Sequence, residues 1–421
     1  MQNRPSGGRW TLTRRRMLGL SGMTAGLVAA GITRCAPGGD HATGPQGTTP
    51  AGATPVGDTQ TSRITAPAAA GVLGANVNQD LDTLNLAELH AVSATWLQAF
   101  YLMQNADRGN VADQPGMQKL TTAVEQGYGT VLNLSFPYDN GVPTSGSGAM
   151  QVALRRLEKV LAVVMGKVDV LVIGNEPFFE SSRQDRATPV INEFYETLAQ
   201  HTVQYRQQHP EAGKTQIYMG ALTSLESLPA AEVAQINRWL DFAKNTPAIA
   251  GTDCHPHVAS LTDAQRYPSY ILPRLRPDQK FLATEFSLVR LYAKHLKDPV
   301  STTFADRYGI PPGTLVWQVG ASATQRPFPQ AEWNDFLTSS PWFENNKNFM
   351  SDTMAYFRDT GRCAMAGWGL FQDAGGAKNV GPDTLPWVFN TMFCPYTCQP
   401  GVDGLPGRNV TWAAEFRSLQ R

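Results

Sequence analysis

The sequence predicts an α/β chain folded as a single (β/α)8 TIM barrel with long loops after strands 7 and 8. Three observations predict it. From about residue 71 onward, eight short runs rich in apolar and β-branched residues recur, and most are followed by an amphipathic helical pattern. Two of those runs end in a glutamate, Glu176 and Glu285. No Gly-rich phosphate loop follows the first run, which argues against a doubly wound nucleotide-binding sheet, the competing architecture.

The elements follow in order. Residues 71–77 read as the first strand and Leu84–Val92 as a short helix. Residues 94–102 form strand two, 116–127 a helix, and 130–136 strand three. In 149–167, Leu154, Leu157, Val160, Leu161 and Val164 recur at three- and four-residue steps, the period of a helix with one buried face. Val168–Ile173 is a β-branched run with the pattern of a strand buried on both faces. Gly174 ends it and Pro177 stops regular structure. Residues 190–209 form a long helix, 216–222 strand five, 230–244 a helix, and 249–257 strand six. A helix is expected around 270–275, strand seven at 280–286, helices at 288–297 and 349–360, strand eight at 362–370, and a closing helix at 410–419.

Two stretches exceed ordinary connectors. Residues 298–340 and 372–409 would both rise from the catalytic face of a barrel, and both are rich in aromatics, among them Trp317, Trp333, Trp387 and Phe389. Those rings either pack the loops or line a cleft.

Formal net charge is zero over 421 residues, so no basic surplus points to nucleic acid. Residues 1–35 read as a targeting segment: Arg14, Arg15 and Arg16 precede an uncharged Gly/Ala-rich stretch, Met17–Ile32, which resembles a twin-arginine export leader. That stretch is too short and too weakly apolar for a stable span. Membrane association is expected only through this segment or a lipid on Cys35. Ile32–Cys35 partly resembles a lipoprotein box, with Arg34 where a small residue belongs. Residues 36–70 read as a Gly/Pro/Thr-rich flexible linker, and 71–421 as the barrel. The expected location is therefore secreted, periplasmic or attached to the cell envelope. The oxidising compartment would permit pairing among Cys254, Cys363, Cys394 and Cys398, with Cys394 and Cys398 able to close a small loop.

Strands four and seven face each other across a closed eight-stranded barrel, so Glu176 and Glu285 can project into one cleft. Two facing carboxylates suit glycosidic bond cleavage, one protonating the leaving oxygen while the other attacks carbon or activates water. Asn175-Glu176-Pro177 and Thr284-Glu285-Phe286 resemble the corresponding motifs of clan A glycoside hydrolases, the retaining (β/α)8 enzymes. The resemblance implies Glu176 as acid/base, Glu285 as nucleophile, and Asn175 as a contact to the sugar 2-hydroxyl. It further implies Trp368 as the aromatic platform under the sugar. His255 and His257, with Asp253 beside them, stand where such enzymes orient the nucleophile, although His257 occupies a place where Tyr is common. Gln98 stands where many members have an Arg. Tyr138, with Asn133 and Ser135, is what strand three offers in place of a His. Asp373 is a candidate contact to a sugar hydroxyl, while Glu180 and Glu226 are expected to be solvated. A metal reading of His255 and His257 lacks a third ligand in the sequence, so neither metal nor cofactor is expected. The expected partner is carbohydrate, through hydrolysis or transglycosylation, the alternatives being a non-catalytic glycan-binding barrel or an envelope scaffold.

Overall fold

Eight parallel strands close on themselves in sequence order, each paired with its chain neighbour and the eighth with the first. The computed structural model describes residues 63–77, 81–138 and 140–420. The leader, Cys35 and most of the expected linker therefore lie outside the described residues. The strands are β1 (Val72–Asn76), β2 (Trp96–Leu102), β3 (Gly129–Ser135), β4 (Val170–Ile173), β5 (Gln216–Thr223), β6 (Ile249–His255), β7 (Lys280–Ala283) and β8 (Cys363–Gly369). All eight fall within the runs expected from the sequence or overlap them.

Alternation along each strand sorts the side chains into two layers. Val72, Trp96, Val131, Val170, Val172, Tyr218, Leu282 and Met365 fill the lower barrel interior. The opposite parity, including Leu97, Leu132, Leu171, Ile217 and Phe281, packs outward beneath the helices. Residues 64–70, assigned to the linker, instead belong to the barrel. Ile64 N donates to Gln126 O (2.8 Å), Trp96 Nε1 donates to Pro67 O (2.8 Å), and Ala66 and Ala69 pack on the lower interior layer. This stretch is short of large apolar residues because it covers an already filled floor.

Side-chain oxygens that accept from the first helical turn start several of the surrounding helices, as Ser147 does for Gly148–Val164 and Asn409 for Val410–Ser418. The helix expected near 270–275 runs instead from Leu261 to Ile271, capped by Ser260, with Pro268 inside it. Pro268 masks the helix in the sequence, because an interior proline normally ends one.

The stretch after β7 is not structureless. It carries helices Thr302–Tyr308, Val316–Gln325 and Gln330–Thr338. Phe304, Trp333, Phe336, Trp342, Phe343 and Phe389 are buried together, so the aromatics of this insertion chiefly build a second small core.

Candidate active site

The upper interior of the barrel is polar. Asn76, Gln98, Asn133, Asp253, His255 and Thr284 are buried there, above the apolar floor. Glu176 follows β4 in a left-handed conformation (φ +44°, ψ +54°), which a residue with a Cβ adopts at a cost of about 1–3 kcal/mol. That turn starts the short helix Pro177–Glu180 and leaves Glu176 buried. Glu285 follows β7, its side chain 12% exposed.

His255 joins the two acids. Its Nδ1 lies 3.1 Å from Glu176 Oε1 and 3.2 Å from Glu285 Oε1. Its Nε2 lies 2.9 Å from Thr284 Oγ1, which donates to Asp253 Oδ2. Asp253 also accepts from Asn133 Nδ2 (3.0 Å), Cys254 N (2.8 Å) and Thr284 N (3.0 Å). Thr284 has one hydroxyl hydrogen and Asp253 takes it, so Nε2 of His255 must donate to Thr284. Nδ1, facing two carboxylates, must donate as well, which makes the ring an imidazolium. Burial opposes that charge, but Glu285, Asp253 and Glu176 outweigh it and hold His255 well above the usual histidine range. Burial would likewise raise Glu285, yet His255 and His257 overcome it and hold this carboxyl below the usual range.

His257 completes the group. Its Nδ1 lies 2.8 Å from Ser287 Oγ, and its Nε2 lies 3.6 Å from both Glu176 Oε1 and Glu285 Oε2. Trp387, from the long stretch after β8, stands edge-on to His257 with ring centroids 4.8 Å apart. One donor atom each from Glu176, His255, His257 and Glu285 can be chosen so that all lie within 4.8 Å of one another. The fold thus brings to the two histidines a pair of carboxylates that could serve as the further ligands absent from the sequence pattern.

Asn175 is buried beside Glu176. Its Nδ2 donates to Glu180 Oε1 (2.9 Å), and its Oδ1 has no hydrogen-bond partner among the described residues. Glu180 is not a solvated acid: it also accepts from Ser135 Oγ (2.9 Å) and Phe136 N (3.1 Å). Enclosure of its carboxyl end, reinforced by Glu176, pushes it up to about 8. A carboxyl raised above its ordinary value of 4.5 contributes stability that is complete below that value and lost as pH rises through about 8. Thermal unfolding should show a midpoint falling between about pH 5 and about pH 9, and Glu180→Gln should remove much of that slope. An identical slope in the variant would remove Glu180 from this role. Glu226 is also bonded rather than solvated, pairing with Arg290 and accepting from Tyr267.

Three expected site residues lie elsewhere, and a fourth, Gln98, is bonded away from the glutamates. Trp368 is fully buried on the outer face of β8, against Phe286 and Trp412 (centroids 4.9 and 5.0 Å), so it cannot underlie a sugar. Its neighbour Gly367 faces the interior, where a Cβ would sit 2.2 Å from Thr284 O. Tyr138 packs edge-on against Phe194 (5.4 Å) beside Arg156. Asp373 accepts from Gly376 N (2.7 Å) and caps Ala374–Lys378. Gln98 lines the interior but bonds Asn76 rather than either glutamate. The sequence reading missed Thr284 and Ser287, which orient the two histidines. Parity would have found Thr284, two residues beyond the inward Leu282. In the sequence, Trp387 is one loop aromatic among several.

No protein-family model matches this chain, and no curated protein matches it. Solved structures do. Xylanase 10B from Thermotoga maritima aligns at 11% identity over 82% of this chain and 94% of that one, with a TM-score of 0.40. A psychrophilic glycoside hydrolase family 10 endo-β-1,4-xylanase aligns at 10% identity over 82% and 96%, with a TM-score of 0.48. The intracellular xylanase of Thermoanaerobacterium saccharolyticum aligns at 12% identity over 81% and 94%, with a TM-score of 0.47. With identities this low and scores below 0.5, the fold rests on the closed barrel itself.

Proposed function

We propose that the chain is a glycoside hydrolase working by double displacement, with Glu285 as nucleophile and Glu176 as acid/base. The observation that carries this reading is the pair of facing carboxylates that follow β4 and β7, one oxygen of each lying within 4.8 Å of the other. Carboxyl groups about 5–5.5 Å apart suit direct attack on the anomeric carbon, whereas inversion needs about 6.5–9.5 Å to admit a water.

The two acids sit in different surroundings. His255, with His257 beside it, favours ionised Glu285, the form that attacks carbon. In the double displacement it is Glu176 that must carry the proton and deliver it to the leaving oxygen. After departure, Glu176 takes a proton from the water that cleaves the glycosyl–Glu285 ester. Asn175 Oδ1, buried and unpartnered, supports a role as acceptor for a substrate hydroxyl. Trp387 replaces Trp368 as the aromatic ring beside the site.

A panel of aryl β-glycosides and polysaccharides, with the product anomer followed by NMR, tests this. The expected first product has the configuration of the substrate. An inverted product would exclude the double displacement, and no hydrolysis across the panel would exclude the hydrolase.

A further inference from the structure

We propose that Glu176, His255, His257 and Glu285 together form a binding site for one divalent transition-metal ion, with Zn2+ as the best-fitting occupant. Three observations converge on it, and none depends on the chain being a hydrolase.

The first is distance. Imidazole nitrogen and carboxylate oxygen bind Zn2+ at about 2.0–2.2 Å, so neighbouring donors of a tetrahedral site lie about 3.4 Å apart. Here His255 Nδ1 stands 3.1 Å from Glu176 Oε1 and 3.2 Å from Glu285 Oε1, while His257 Nε2 stands 3.6 Å from Glu176 Oε1 and 3.6 Å from the other Glu285 oxygen, Oε2. These nitrogen–oxygen pairs stand near that spacing, and one donor atom from each of the four residues can be chosen with all within 4.8 Å of one another.

The second is the outer layer. A histidine that holds a metal normally donates its other ring N–H to a fixed acceptor, which aims the ligating nitrogen. Both histidines place the other ring nitrogen against a fixed hydroxyl that can accept from it. His255 turns Nε2 to Thr284, itself held by Asp253, and aims Nδ1 at the glutamates. His257 turns Nδ1 to Ser287 and aims Nε2 at the same place. The two rings use opposite nitrogens and converge on one point.

The third is unmet bonding. His257 is nine-tenths buried, and its Nε2 has no hydrogen-bond partner among the described residues. Glu285 Oε1 makes no hydrogen bond among them either, its ion pair to His255 (3.2 Å) aside. Buried polar atoms without partners cost free energy, and a cation would satisfy both. Zn2+ would take the place of the Nδ1 proton of His255 between the same oxygens. Two nitrogens and two carboxylate oxygens suit a borderline cation rather than Mg2+, which prefers octahedral oxygen. An ion there would occupy the space between the carboxylates and so block attack on an anomeric carbon.

The test is a calorimetric titration of the full chain, stripped with EDTA and dialysed, using Zn2+ as probe and Mg2+ as control. Expected are one Zn2+ per chain, no comparable Mg2+ binding, and a tetrahedral-type visible spectrum with Co2+. His257→Gln should weaken Zn2+ binding at least about 10-fold. Should that variant not fold, Ser287→Ala, which keeps all four ligands but releases the His257 ring, should weaken it about 10-fold. Absence of saturable Zn2+ binding, equal Mg2+ affinity, or unchanged affinity in the folded variants would overturn the proposal. Glycoside hydrolysis by the stripped chain is followed in parallel. Zn2+ binding without hydrolysis in any state removes the hydrolase and leaves the metal site standing. Hydrolysis without Zn2+ binding does the reverse.

Discussion

Glu285→Gln is expected to lower turnover of any accepted glycoside by about 10³-fold or more, with little change in the unfolding midpoint. The variant keeps the shape of the side chain but loses the charge that attacks carbon. It also removes one of the carboxylates facing the buried His255 imidazolium, so histidine ionisation should weaken in the same variant. Glu176→Gln should behave differently. An aryl glycoside with a very good leaving group needs little protonation, so the glycosyl–Glu285 ester still forms, and then accumulates because no base activates water. The expected signature is a burst of the aryl leaving group followed by slow turnover, which azide, a nucleophile needing no deprotonation, accelerates. Glu285→Gln should show neither burst nor azide rescue. Full activity in either variant, or the two signatures exchanged, would overturn the assigned roles.

The second large effect is expected on stability. Gly367 faces the barrel interior, and a Cβ there would lie 2.2 Å from the carbonyl oxygen of Thr284. Neither side can yield easily. Ala366 is in register with Ala283 across β8 and β7, and Phe286 N donates to Gly367 O (3.2 Å). Gly367→Ala should therefore cost about 3 kcal/mol, the upper part of the usual range for an added core methyl, and lower the midpoint by about 5 °C. Activity should fall as well, because Thr284 carries His255 and precedes Glu285. Differential scanning calorimetry with an activity assay reads both. An unchanged midpoint would mean that β7 and β8 separate more easily than their register implies.

The two acids stand on one wall each of a single site because eight strands close in order, and that order was legible in the repeated apolar runs. Glu176 and Glu285 were legible for the same reason: each ends a buried run, where a charge has no packing role. Trp368 shows where this kind of reading stops. It ends β8 as expected of a sugar platform, yet a strand alternates faces at every residue, and here Gly367 holds the inward position. Counting parity from Met365 would have placed Trp368 outside. Glu180 and Asp373 were beyond such counting. One is enclosed by a turn that doubles back from Glu176, and the other is used as a helix cap.

The sequence by itself determined the barrel, the strand order and the two glutamates, because burial and periodicity are properties of local runs and their spacing. Only the tertiary structure decided which polar groups meet. Histidines on β6 and just beyond it are aimed by hydroxyls at or after β7, and they converge on an acid after β4 and another after β7. Such convergence depends on side-chain direction across the barrel, over distances at which a linear pattern carries no information. The pairing of His255 and His257 with both glutamates, on which the proposed metal site rests, therefore appears only once the barrel is closed.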